Sequence, residues 1–387
     1  MNNDRKIKVV FFPTDNNASS GAFISMTVLN EYLNKEFGVE TKIILPKEGT
    51  GTKLLEERKL NYKIIRSYDW LVPLVLKNSF RIKCVFFLKR VLNFVSILRI
   101  RNELRRIKPD LVHINTIYGY VGAVAAKKEN IPIVWHFREI IEKGHDKTFM
   151  YYDFSQRILS YADAVVTVSK SVLEYYQNNG IKMNHVVVIY NGIDVPTFYN
   201  EDKKILLNDT VKILFVGDFT RNKGAFNLVE ALELLSEDVL SKVQVSFVGR
   251  SNAEFEKTVS NSKAKDRIKL YGYSKNVADI YRENDIVVTG AKYEAFGRVT
   301  SEAMLSGCLT MTANDSGSGE LVKDSVTGYS FDYGNAKMLA EKITYALGHR
   351  DEARQIAKQG QKFIKENMSA RQNAENIASL YKELLRK

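Results

Sequence analysis

Short apolar runs alternate with helix-length amphipathic segments from one end of this sequence to the other, and that alternation limits the possible folds more than any other feature. Runs of three to six residues, rich in Val and Ile and bounded by turn residues, are too short for buried helices and read as strands. In the first half they fall at 8–12, 40–45, 62–65, 111–115, 133–136, 164–168 and 186–190. In the second half they fall at 212–216, 244–248, 268–271, 286–288, 309–312 and 329–331. Strands regularly separated by helices belong to parallel sheets covered on both faces. The fold class is therefore α/β, and each half holds enough strands for a complete doubly wound unit, giving two Rossmann-like domains in tandem.

A chain of 387 residues is also too long for one core. The turn Asn191-Gly192 followed by the polar stretch 200–210 marks the boundary. The domains are expected at 1–192 and 193–365, with a last helix at 366–387 for which a return to the first domain is one reading. In open parallel sheets ligands bind beyond the carboxyl ends of the strands, so the expected site is a cleft where two such ends face each other.

Apolar residues make up 45% of the chain and charged residues 26%, a globular balance that excludes both a disordered chain and a membrane-embedded one. The apolar run 9–13 is too short for a signal-peptide core. Cys84 and Cys308 are far apart in apolar surroundings, so no disulfide is expected, and both read as partly buried, inert thiols of a reducing compartment. The formal charge of +12 implies attraction to something anionic, and its distribution is uneven. Between Lys77 and Lys108 ten cations face one anion, Glu103, for a local net of +9. Phe, Leu, Val and Ile interleave with these charges. Two readings stand side by side: a basic amphipathic helix lying on an anionic membrane surface, or a core-facing helix with a solvated basic back. Nucleic acid is not expected, because no recognition motif accompanies the charge.

Three strand-to-helix turns carry candidate site residues. After the first strand, Asn16 to Ala22 is a small polar loop in which Gly21 permits close backbone approach to phosphate, or in which Ser20 and Gly21 simply cap a helix. The corresponding turn of the second half runs from Gly217 to Gly224 and offers Arg221 and Lys223 to a diphosphate, solvated loop cations being the alternative. The third segment follows the run 286–288. There Glu294 precedes a helix that begins near Phe296-Gly297-Arg298-Val299, and Glu302 lies within it. A helix amino terminus between two carboxylates suits phosphate flanked by sugar and ribose hydroxyls.

Taken with Val-Ile-Tyr-Asn191-Gly-Ile-Asp194, Lys223-Gly224, Phe-Val-Gly249, Tyr-Gly272-Tyr, Asn-Asp285-Ile-Val-Val and Ser-Gly317-Ser-Gly319-Glu320, the two-glutamate segment closely resembles the retaining glycosyltransferases of family four, which have the B-type fold (GT-B). The resemblance covers most of the chain and is densest from Val187 to Gly328. It implies that the first domain serves the acceptor and the second the nucleotide-sugar donor. Glu302 would bind the donor ribose and Glu294 the donor sugar. Backbone N–H groups from Phe296 to Val299 would hold sugar and phosphate, and Gly217, Arg221 and Lys223 would surround the diphosphate. Lys223 matches the family's Lys-Gly pair, but Asp218 stands where the family usually has arginine. His136, in Trp-His-Phe-Arg138-Glu139, matches a histidine that contacts the donor sugar near the reacting carbon, with Arg138 and Glu139 added on the acceptor side; His113 is read as structural.

The expected activity is sugar transfer with retention of configuration, from a uridine diphosphate sugar to a hydroxyl of a glycan or lipid-linked acceptor. A front-face mechanism without metal is expected, since neither an Asp-x-Asp nor a His/Cys cluster occurs. No cofactor beyond the donor is expected. The expected location is cytoplasmic, with peripheral membrane association open, as is the oligomeric state. Another B-fold enzyme, such as a nucleotide-sugar epimerase, and a non-catalytic accessory subunit are the alternatives.

Overall fold

A computed structural model of the chain describes residues 5–274 and 276–386. Contacts divide it into two compact units, Met1–Gly192 with Ala370–Lys387, and Ile193–Ser369.

The first unit is built on a parallel sheet of seven strands in the order β3-β2-β1-β5-β6-β8-β9. These are β1 (Ile7–Phe12), β2 (Val39–Leu45), β3 (Asn61–Ile64), β5 (Leu111–Ile114), β6 (Ile133–Phe137), β8 (Ala164–Thr167) and β9 (Val186–Val188). All seven had been expected, to within two residues at either end. Every residue of β5, β6 and β8 is buried, as helices on both faces demand, which is why these strands read as unbroken apolar runs. Two short strands were not expected, β4 (Leu71–Pro73) and β7 (Lys147–Phe149), which pair antiparallel. At three residues each they leave no periodicity to read.

The helix Gly21–Glu36 packs its Phe23, Met26, Leu29 and Leu33 against Val9 and Phe11 of β1. The C-terminal helix, Ala370–Leu384, adds Ala374, Ile377 and Tyr381 to the same core.

The second unit carries a parallel sheet of six strands in the order β12-β11-β10-β13-β14-β15. They are β10 (Val211–Val216), β11 (Val243–Val248), β12 (Ile268–Tyr271), β13 (Ile286–Thr289), β14 (Leu309–Ala313) and β15 (Tyr329–Phe331). In each sheet the order reverses once, between β1 and β5 in the first and between β10 and β13 in the second. Adjacent crossovers there leave on opposite faces, which opens a crevice beyond the strand ends.

Two expectations are corrected. Cys84 is exposed and only Cys308 is buried. The core-facing reading of the helix Phe80–Ile107 holds only in part: it buries Phe86, Ile100 and Leu104 beside Asn93, Ser96 and Glu103, and most of its large apolar side chains face outward. Among the described residues no helix is long and apolar enough to cross a membrane.

Candidate active site

In the second unit the loops after β10 and β13 meet at the reversal of strand order. They meet through glycine: a Cβ on Gly224 would lie 2.4 Å from the carbonyl oxygen of Gly290, so no larger residue fits at this crossing. Backbone joins the loops as well, with Lys292 N–H donating to the Asn222 carbonyl at 2.8 Å. The crossing brings Lys223 Nζ to 2.9 Å from Glu294 Oε2. The Glu294 charge raises the pKa of Lys223, so the ammonium stays charged. One of its three N–H donors is used here, which leaves two for anionic oxygens.

The helix Arg298–Leu305 begins at Gly297, whose φ of 89° is left-handed. Its first hydrogen bond is Ser301 N–H to the Gly297 carbonyl, so the N–H groups of Arg298, Val299 and Thr300 have no acceptor within the helix. They point at the helix amino terminus, where the peptide dipoles favour an anion. Phe296 is buried and anchors the turn. Gly317 N–H donates to the Glu294 carbonyl at 2.8 Å, fixing the loop after β14 against the same segment.

Glu302 is 6% exposed. Its Oε1 accepts from Arg298 Nε at 2.6 Å and its Oε2 from Tyr281 Oη at 3.2 Å. A carboxylate has about four acceptor sites, so each oxygen keeps one lone pair. That pattern suits two adjacent hydroxyl donors.

Arg221 lies apart from this pairing. It donates to Glu254 Oε1 at 2.7 Å and stands 4.3 Å over the ring of Phe226. Asp218, the departure from the family pattern, accepts both a 2.8 Å and a 2.6 Å bond from the Arg250 guanidinium. The loop after β11 thus returns a cation to this end of the sheet. Neither Arg250 nor Tyr281 was anticipated, and no local sequence signal marks them. Gly217 adopts φ 143° where β10 ends. Among the described residues no His, Cys, Asp or Glu cluster could hold a metal ion.

In the first unit, Gly21 opens the helix Gly21–Glu36, and Ser20 caps it, its Oγ accepting from Phe23 N–H at 3.4 Å. His136 lies in β6, fully buried, with its Nδ1 3.2 Å from His113 Nε2. His113 Nδ1 is in turn 2.6 Å from Tyr381 Oη. Burial, with the nearby Arg138 charge, holds both imidazoles well below the ordinary histidine range, so both are neutral near pH 7.

The hydrogens in this chain can be placed. Tyr381 is fully buried: if its hydroxyl accepted from His113, its own hydrogen and the His136 Nε2 lone pair would both be buried without a partner, whereas if it donates, only the His136 Nε2 hydrogen is. Tyr381 therefore donates to His113 Nδ1. His113 then carries its hydrogen on Nε2 and gives it to His136 Nδ1, which leaves the His136 hydrogen on Nε2. That atom is buried and has no protein partner among the described residues. His136 thus presents a neutral N–H donor. His113, read as structural from sequence, belongs to this chain, and Tyr381 comes from 245 positions beyond His136.

Arg138 and Glu139 directly follow β6. Both are buried, and Arg138 is spent on Asn115 Oδ1, at 3.0 Å, and on Asn191 Oδ1, tying the Asn191-Gly192 turn to the end of β5. Burial pushes the Glu139 carboxyl up to about 8, against the opposing Arg138 charge.

Known glycosyltransferases resemble this chain over most of its length. Residues 30–196 match the family model Glycosyltransferase Family 4, and residues 198–363 match Glycosyl transferases group 1. The capsular polysaccharide biosynthesis glycosyltransferase CapM of Staphylococcus aureus is 24% identical over 345 residues, 84% of this chain and 88% of that protein. An uncharacterized glycosyltransferase of Methanocaldococcus jannaschii, MJ1178, is 26% identical over 289 residues, 71% of this chain and 76% of that protein. The crystal structure of Anabaena Alr3699/HepE in complex with UDP has the same fold, with a TM-score of 0.79 at 19% identity over 97% of this chain and 100% of that one. Two family models that between them span most of the sequence, and two parallel-sheet units matched from end to end, place this protein among the family-four glycosyltransferases of the GT-B fold.

Proposed function

We propose that the protein moves a sugar from a uridine diphosphate sugar to a hydroxyl of a glycan or lipid-linked acceptor in polysaccharide biosynthesis, with retention of configuration and without a metal. The observation that carries this reading is the Lys223–Glu294 contact at the reversal point of the second sheet, beside the open N–H groups of Arg298, Val299 and Thr300. Lys223 and those N–H groups take the diphosphate, and their alignment stabilises the charge that grows as it leaves. Glu302 takes the ribose hydroxyls through its two remaining lone pairs. Glu294, held in place by Lys223, takes sugar hydroxyls. His136 donates its Nε2 hydrogen to a sugar oxygen; being neutral and wired as a donor, it is not a base.

Nothing among these residues is placed as an enzymic nucleophile, which favours a front-face route in which a departing phosphate oxygen accepts the acceptor proton. In that route a fixed cation does the work a metal would otherwise do, and losing one aligned donor costs about 3 kcal/mol of transition-state stabilisation. The choice of uridine is supported by the Anabaena relative, solved with UDP and with UDP-glucose. The test is a thermal-shift panel of uridine, guanosine and adenosine diphosphate sugars, followed by anomeric analysis of the product. A uridine diphosphate sugar should give the largest shift and a product of retained configuration. An inverted product, or transfer that requires a divalent cation, would contradict the reading.

A further inference from the structure

The helix Phe80–Ile107 leaves a second apolar stripe exposed. An ordinary surface helix buries its apolar stripe and exposes its polar one. Here the buried side mixes Asn93, Ser96 and Glu103 with Phe86, Ile100 and Leu104. At about 100° per residue the opposite side carries Phe80, Phe87, Val91, Phe94, Val95 and Leu98. Phe80, Phe87 and Phe94 are 82%, 68% and 63% exposed. The preceding turn, Leu74–Leu76, extends the stripe.

The buried polar groups have a reason to be inside. Asn93 accepts from Tyr68 N–H and donates to the Tyr68 carbonyl, both at 2.9 Å, and Ser96 Oγ donates to the Arg66 carbonyl at 2.5 Å. They satisfy the backbone of an irregular segment that has no ladder of its own. Within the chain the apolar groups outside have no such reason, and soluble proteins rarely leave a contiguous apolar stripe uncovered.

Charge indicates what covers it. Cations line both edges of the stripe, Lys83 and Arg90 on one side and Arg81 and Arg99 on the other. Arg81, Lys83 and Arg99 have no acidic partner among the described residues. A second copy of the chain would set these same charges against each other, at a cost. An apolar stripe about 27 Å long, from Phe80 to Leu98, edged by cations of which Arg81, Lys83 and Arg99 are unpaired among the described residues, matches the boundary between acyl chains and anionic headgroups.

We propose that the outer face of the helix Phe80–Ile107, with the turn Leu74–Leu76, docks on an anionic lipid bilayer, the apolar residues entering the acyl boundary and the flanking cations meeting headgroup phosphates. Docking does not depend on the sugar-transfer reading. One consequence does: Tyr68 and Asp69, which the inner side of the helix holds, line a pocket with Thr14 and Gly119 at the carboxyl ends of β1 and β5. A docked helix would keep the wall of that pocket beside the lipid, where a lipid-linked acceptor is met.

The test is flotation of the full chain with phosphatidylcholine vesicles, with and without about 30% phosphatidylglycerol. Two variants accompany it, the combined Phe80→Ser, Phe87→Ser, Phe94→Ser and the combined Arg81→Glu, Lys83→Glu, Arg99→Glu. All six residues are exposed, so folding should survive, and an unchanged melting temperature checks this. The wild type should float with the anionic vesicles at least tenfold better than with the neutral ones. Each triple variant should lose at least tenfold, and about 1 M salt, which shortens the Debye length to about 3 Å, should weaken wild-type binding. Failure of the wild type to float with anionic vesicles at low salt overturns the proposal. So does a solution dimer that the apolar variant dissociates, because the stripe would then belong to a second copy. Loss of flotation with nucleotide-sugar binding intact leaves the donor reading standing, and the reverse leaves the docking standing.

Discussion

Replacing Tyr381 by Phe deletes one oxygen from a fully buried site and tests the wiring of His136 directly. In the wild type the hydroxyl donates to His113 Nδ1 over 2.6 Å, and His113 passes the order on to His136 over 3.2 Å. Phenylalanine keeps the ring and its packing but leaves His113 Nδ1 buried and unpaired, which costs about 1 to 3 kcal/mol. His113 is then free to take its hydrogen on Nδ1, and His136 follows by moving its own from Nε2 to Nδ1. If half the molecules switch, the presented donor is lost in half, and turnover falls about twofold. If the switch is complete, a donor worth about 1.4 to 2.8 kcal/mol at the transition state is lost and turnover falls about ten- to a hundredfold. Imidazole nitrogen shifts report the tautomer, and with five histidines in the chain the spectrum is tractable. The wild type should show His136 protonated at Nε2 and His113 at Nε2, both neutral near pH 7, in keeping with pKa values held well below 6.5. A wild-type His136 protonated at Nδ1, or a Tyr381→Phe variant with unchanged tautomers, would refute the reasoning.

Stability should peak near pH 6.5 as far as three buried groups decide it. Glu139 keeps its proton up to about 8 in the folded state but only to about 4.5 unfolded, so stability falls as pH rises between these values, by about 1.4 kcal/mol per unit. His113 and His136 refuse protons that the unfolded chain takes up below 6.5, so stability also falls as pH drops below that value. Denaturant titrations across pH should show both limbs, and Glu139→Gln should flatten the alkaline one and steepen the acid one, because Glu139 opposes the histidines between about 4.5 and 6.5. Gly297→Ala should cost about 1 to 3 kcal/mol and weaken donor binding, because φ is 89° and the new Cβ would lie 2.4 Å from Ser318 Oγ; a variant of wild-type stability and affinity would show that the turn is not strained. Glu294→Ala should leave the fold intact and reduce transfer by at least a hundredfold, measured as released nucleotide.

Strand positions were legible because the parallel strands are buried on both faces, so burial itself writes them as apolar runs between turns. The donor-side residues that could be read lie in two short strand-to-helix turns, Gly217 to Lys223 after β10 and Glu294 to Glu302 after β13. The Lys223–Glu294 contact could be inferred only through the strand order that brings β10 beside β13. What sequence could not show are groups that act across the fold: Tyr381 reaching His113, Tyr281 holding Glu302, and Arg250 answering Asp218. The partners of Arg138 were equally out of reach, because Asn115 and Asn191 lie 23 and 53 positions away. Composition could not choose between the two readings of the basic helix: it gives the mixture of charge and apolar groups, but not that Asn93 and Ser96 are needed inside by the backbone of Tyr68 and Arg66.

The central claim is that the second unit holds a nucleotide sugar through Glu302 at the helix that starts from Gly297. Calorimetric titration of the wild type and of Glu302→Ala with uridine diphosphate glucose tests it most directly. The wild type should show saturable one-site binding, and the variant, having lost both remaining acceptor positions, should bind at least tenfold more weakly, about 1.4 kcal/mol or more. Equal affinity in the two proteins, or a wild type that binds no nucleotide sugar at all, would contradict the account.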